Sequence, residues 1–150
     1  MRDSNGNWIR GFSHKLGIAN SLVVELWRLR DGLLLARDLH ICKLIIEIDA
    51  KSVVDLLKPV NDGITDSHPC NALINDCRSL IQYFEEARIQ HAHRESNFCV
   101  DLLAKEGIKL FVPFSIFVSP PHFIVSQYWQ TFGGSRTLAY CNFLCTMFCY

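Results

Sequence analysis

Leu22, Leu26, Leu29 and Leu33 recur at spacings of three and four, which aligns them on one face of a helix. Asn20 or Ser21 is suited to cap its start, and the pattern predicts a helix running to about Leu39. Gly32 weakens it by up to ~1 kcal/mol relative to Ala without ending it. Residues 43–49, Lys-Leu-Ile-Ile-Glu-Ile-Asp, concentrate β-branched side chains and predict a buried strand. A short helix over 50–58 should stop at Pro59. Leu73, Cys77, Leu80, Ile81 and Phe84 make a second helical stripe. Residues 87–92 then read as a strand with Ile89 and His91 on one face, and 97–109 as a helix opened by Ser96 or Asn97.

The ends are less periodic. Asp3-Ser4-Asn5-Gly6-Asn7 is a hairpin turn signal, because Asn-Gly tolerates positive φ. Residues 8–16 follow as a strand with Trp8 and Phe12 on one face. Residues 60–69 are polar and read as a loop. After Gly107 the character changes: Pro113, Pro120 and Pro121 interrupt an apolar segment, and 126–150 mixes aromatics and cysteines without a clear period. The strands and helices together predict an α/β domain over 1–112, followed by an apolar, Pro-interrupted extension over 113–150.

Composition narrows the function classes. At 150 residues with 49% hydrophobic and 20% charged positions, the chain has the make-up of one globular domain. Fifteen basic and fifteen acidic residues balance, so the basic excess of an avid nucleic-acid binder is absent. Nucleic-acid contact is expected to be weak or confined to a local patch. The N-terminus is polar and lacks a signal-peptide h-region, and no apolar run approaches the ~20 residues that span a bilayer. These features predict an intracellular, reducing location with no membrane partner, and free thiols for the seven cysteines. Cys42, Cys70, Cys77 and Cys99 read as buried or half-buried small hydrophobes. Cys141, Cys145 and Cys149, spaced by four, would align on one helix. They lack the turn chemistry and fourth ligand of a zinc site, and fit an apolar, partner-packed or self-associating tail better.

Three acids carry the candidate chemistry. Glu25 projects into the Leu22–Leu29 stripe, Asp49 ends a hydrophobic strand, and Asp101 falls early in a predicted helix. Each has a scaffold reading: Glu25 as a stripe-edge residue reaching solvent, Asp49 as a helix N-cap, Asp101 as a partner of a helix dipole. Together they read as oxygen ligands from separate elements, which hard divalent cations prefer. Metal-assisted phosphoryl chemistry uses two such cations ~3.5–4 Å apart. His91 is placed to shuttle a proton near neutral pH. His93 alternates to the opposite strand face and reads as solvent-exposed. His14, His40, His68 and His122 have no partner at ligand spacing and read as surface residues.

The ordered motifs Val-Glu-Leu-Trp-x-Leu-x-Asp-Gly-Leu (24–33), Ile-Glu-Ile-Asp-Ala-Lys-Ser-Val-Val (46–54) and His-x-His-Arg-Glu-Ser-Asn-x-x-x-Asp-x-Leu-Ala (91–104) resemble the ribonuclease H family. The likeness is to plant ribonuclease H-like domains related to retroelement reverse transcriptases. Arg2 to Trp8 resembles the hairpin between that domain's second and third strands, and 113–121 a stretch after its last helix. The resemblance covers about residues 2–124. It implies a mixed five-stranded sheet flanked by helices. It also implies endonucleolytic hydrolysis of the RNA strand of RNA–DNA hybrids with two Mg²⁺ (or Mn²⁺).

By this resemblance Glu25, Asp49 and Asp101 match three of the family's four metal-binding acids, and His91 its mobile histidine. Asn97 matches a recurrent Asn near the last acid, and Arg94, Lys51 and Lys105 are candidate phosphate contacts. The family's first acid, its first strand and most of its second have no counterpart here, so the chain reads as an N-terminally truncated domain. That first strand normally lies mid-sheet, and without it the flanking strands are expected to lack a hydrogen-bonding neighbour. The expected function is hybrid binding and two-metal hydrolysis, weakened or lost with the missing acid. The alternative is a non-catalytic nucleic-acid-binding or protein-interaction remnant. Oligomeric state is not legible.

Overall fold

The computed structural model describes residues 1–58, 68–92, 102, 103, 105, 109 and 111–126, and the backbone of 141–145. The turn signal at the N-terminus forms as expected. Arg2 bridges antiparallel to Trp8, Gly6 takes φ 80°, and the Asp3 carboxylate accepts from the amides of Asn5 and Asn7 and from Asn7 Nδ2. The strand that follows, β1, is shorter than the alternation predicts and spans Gly11–His14. Trp8 lies against it: a Cβ on Gly11 would meet the indole at 2.6 Å, so only glycine lets the ring settle there.

Helix α1 (Ser21–Asp38) is capped by Asn20, whose side chain accepts from Val23 N. It buries more than the leucine stripe, because Glu25, Arg28 and Asp31 are buried as well. Strand β2 (Lys43–Ile48) alternates exposed and buried, with Leu44, Ile46 and Ile48 facing the core. Helix α2 (Lys51–Leu57) ends at Lys58, which is extended (φ −61°, ψ 145°), as a residue before proline must be. Helix α3 (Asn71–Ile81) buries Ile74, Cys77 and Leu80. Strand β3 (Glu86–His91) completes the predicted order. Leu102, Leu103, Lys105 and Lys109 are helical, in the span where a helix is predicted.

The core lies between α1, α3 and β2: Leu26, Leu29, Leu33 and Ala36 pack with Leu44, Ile46, Ile48, Ile74 and Cys77. Each of the larger side chains contributes about 1.5–3 kcal/mol by leaving water. Helices α1 and α3 approach closely enough for the Cys77 thiol to donate to the Leu26 carbonyl at 3.5 Å.

The strands fall into two sheets. One pairs β1 with β4 (Phe114–Phe117), antiparallel, with Phe12 opposite Ile116. The other is parallel, in the order β3-β2-β5, where β5 spans Cys141–Cys145. The architecture is α/β, with antiparallel and parallel pairings and helices against the sheet, as in a ribonuclease H-like fold. Two expectations need correction. The edge of β2 expected to stand open is paired with β5, Leu44 to Ile48 opposite Cys141 to Cys145. Unsatisfied strand hydrogen bonds recruit any extended segment within reach. Cys141 and Cys145 therefore lie on a strand rather than a helix. A spacing of four is even, so it suits both periods and cannot choose between them. Cys99 and Cys149 lie outside the described residues.

Candidate functional site

The carboxyl ends of β2 and β3 bring two of the singled-out residues together. Parallel register sets Ile48 opposite His91, and Ala92 N donates to Ile48 O at 2.9 Å. Asp49 follows Ile48, and the His91 ring closes on it, with Nε2 3.0 Å from the Asp49 carbonyl oxygen. A carbonyl only accepts, so Nε2 carries the proton in this contact. Its scaffold reading as an N-cap does not hold for Asp49. The cap of α2 is Ala50, which makes no side-chain bond. One residue earlier in β2, Glu47 accepts from Gln90 Nε2 at 3.0 Å and lies 3.8 Å from the Arg2 guanidinium.

Glu25 lies in the second turn of α1. It does not reach solvent from the stripe edge: it is 8% exposed and accepts a hydrogen bond from Arg28 Nη1, one turn on. Arg28 is fully buried. A buried carboxylate requires a compensating charge, and here a guanidinium supplies it. The sequence carries the signal for this pair, an acid and a base three positions apart on one helix, but the leucine stripe obscures it because charged residues are expected outside a core.

Three positions beyond Arg28, Asp31 is also buried, and its Oδ2 lies 2.5 Å from His14 Nδ1. His14 is thus a tie between β1 and α1, not the free surface histidine its isolation in sequence suggests. Cys42 differs from expectation too. It is exposed, because it lies in the turn before β2 rather than on an apolar face, whereas Cys77 is buried and Cys70 half-buried. Burial pushes the Cys77 thiol up to about 12.

Lys51 is exposed at the first position of α2, two residues from Asp49, and Lys105 is exposed on its helix. Arg94, Asn97, Asp101 and His93 lie outside the described residues. A small groove of about 310 Å³ opens beside the loop from β1 to α1, lined by His14, Lys15, Val23 and Trp27 among others, and none of the candidate acids lines it.

A divalent cation would need several hard oxygen donors. Glu25 and Asp49 are of the right type, but Glu25 already holds a cation of the protein's own. Among the described residues no group of three His, Cys, Asp or Glu side chains is arranged to hold a metal ion. No described helix is long and apolar enough to cross a membrane.

Comparison with known proteins adds the family. The model of the family described as reverse transcriptase-like matches residues 1–107. An Arabidopsis thaliana protein named "Putative ribonuclease H protein At1g65750" is 33% identical over 137 residues. That alignment covers 91% of this chain and 22% of the relative, so the chain spans about a fifth of its length. No solved structure gives a significant match. The glutamate of α1, the aspartate closing β2 and the alternation of helices with parallel strands thus stand within a matched family, and this chain belongs to the reverse transcriptase-like family of ribonuclease H-like domains.

Proposed function

We propose that the chain binds RNA–DNA hybrids and that its acids serve hydrolysis of the RNA strand. The observation that carries this reading is the meeting of Asp49 and His91 at the carboxyl end of two parallel strands, where α/β sheets gather their ligand-binding residues. Asp49 and Asp101, joined by Glu25 where Arg28 gives up its carboxylate, would hold Mg²⁺ or Mn²⁺, which when bound supplies an activated water and charge neutralisation at the leaving oxygen. His91 would move a proton at its ring, held in place by the Asp49 carbonyl. Lys51, Lys105, Arg94 and Asn97 would engage the sugar–phosphate backbone, and such contacts position a duplex without reading its sequence. With formal charge balanced overall, affinity comes from Lys51, Lys105 and Arg94 and falls steeply with salt.

The test is a labelled RNA–DNA hybrid incubated with the chain and Mn²⁺ or Mg²⁺, with binding followed by anisotropy. Salt-dependent binding is expected, with any cleavage confined to the RNA strand and abolished by Asp49→Asn. Failure to bind a hybrid at low salt would sink the proposal. A second reading, binding without cleavage, is favoured by one specific observation: the carboxylate of Glu25 is already neutralised by Arg28.

A further inference from the structure

We infer that Arg28 is the resident counter-cation of Glu25 and competes with divalent metal for that carboxylate. The inference rests on the reading of Glu25 as a site acid and adds how that acid is regulated. Arg28 has no exposed surface, and it is the largest fully buried side chain among the described residues. A guanidinium cannot shed its proton at any ordinary pH, so it remains a cation wherever the fold carries it. The helix fixes it one turn from Glu25, where Nη1 donates to Oε1. Stripped of a partner, either charge would be costly to bury, so the two are held as a unit.

A metal ion approaching Glu25 therefore meets a carboxylate whose charge is already balanced, and a second positive charge at contact range. In a partly buried setting a unit charge at such a distance changes affinity by more than tenfold. Glu25 contributes little to metal binding while Arg28 is present, and becomes a strong ligand once the guanidinium is removed. Because arginine does not titrate, raising pH leaves this competition in place.

The experiment is Mn²⁺ binding to the full chain, read by electron paramagnetic resonance and by the rise of the unfolding midpoint with Mn²⁺. Wild type, Glu25→Gln and Arg28→Gln are compared. Wild type and Glu25→Gln should bind Mn²⁺ equally well, since Glu25 is not yet a ligand. Arg28→Gln should bind on the order of tenfold more tightly, with a midpoint lowered in the absence of metal and restored by it. The inference is overturned if Glu25→Gln weakens the wild-type affinity tenfold, or if a folded Arg28→Gln gains none. Should Arg28→Gln fail to fold, Arg28→Met, which removes the cation and keeps an apolar side chain of similar length, takes its place, and a folded Arg28→Met that gains no Mn²⁺ affinity likewise overturns the inference. Hybrid binding on the same samples separates the two readings: its absence removes the proposed function and leaves the Mn²⁺ comparison intact.

Discussion

His14 Nδ1 lies 2.5 Å from Asp31 Oδ2, joining β1 to the middle of α1 across seventeen residues of sequence. Asp31 is buried and the His14 ring half-buried, in T-shaped contact with both Trp27 and Phe114. The contact ties the β1–β4 ribbon to the helix that anchors the main core. Replacing Asp31 by Ala is expected to cost about 1–3 kcal/mol, the range for a buried hydrogen bond with a charged partner. Urea unfolding measures the loss. Hydrogen exchange should then rise more at Gly11–His14 than at β2; equal rises would mean that the tie does not hold the ribbon.

The core prediction is larger. Leu29 and Ile46 are fully buried on facing elements. Leu29→Ala or Ile46→Ala should each destabilise by about 2–5 kcal/mol, from lost burial plus the cavity left behind. A loss under 1 kcal/mol at both would place the core elsewhere.

The N-terminal turn should be sensitive to acid. Burial raises the Asp3 carboxyl, but hydrogen bonds from the Asn7 side chain and from the amides of Asn7 and Asn5 outweigh it and hold the group below its ordinary 3.8. A depressed folded-state pKa stabilises the fold above the unfolded value, and that contribution disappears as pH falls through the folded value. Wild type should exceed Asp3→Ala in stability by a constant margin at neutral pH, and the margin should shrink below about pH 4. A margin that grew in acid would reverse the sign and refute the assignment.

Thiol reactivity should divide the cysteines. Cys42 is exposed, whereas Cys77 is buried with its thiol pushed up to about 12 by loss of hydration. At pH 8 iodoacetamide should modify Cys42 in the native protein and Cys77 only after denaturant is added. Peptide mass spectrometry distinguishes them, and native labelling of Cys77 would contradict its burial.

Removing residues 141–150 should expose the edge of β2 that β5 covers. An uncovered parallel edge of Leu, Ile and Ile residues invites pairing with another chain. Sedimentation velocity is expected to show self-association of the shortened chain beyond that of the full one. An unchanged distribution would mean that β5 protects nothing.

Periodicity alone determined the elements from Asn20 to Ala92. The leucine spacing of α1, the β-branched run of β2 and the stripe of α3 each demand one regular structure, and each formed within a few residues of its expected bounds. Those patterns are local, as are the turn at Asp3–Asn7 and the order of acids that carried the family resemblance. Tertiary structure alone decided the pairings between distant segments: β5 against β2, β4 against β1, His14 with Asp31. No spacing encodes which edge lies open or what reaches it. It also decided the state of Glu25. Sequence showed an acid on an apolar face that could reach solvent, bind a metal or meet another partner, and which of these holds depends on which way Arg28 turns when the core closes.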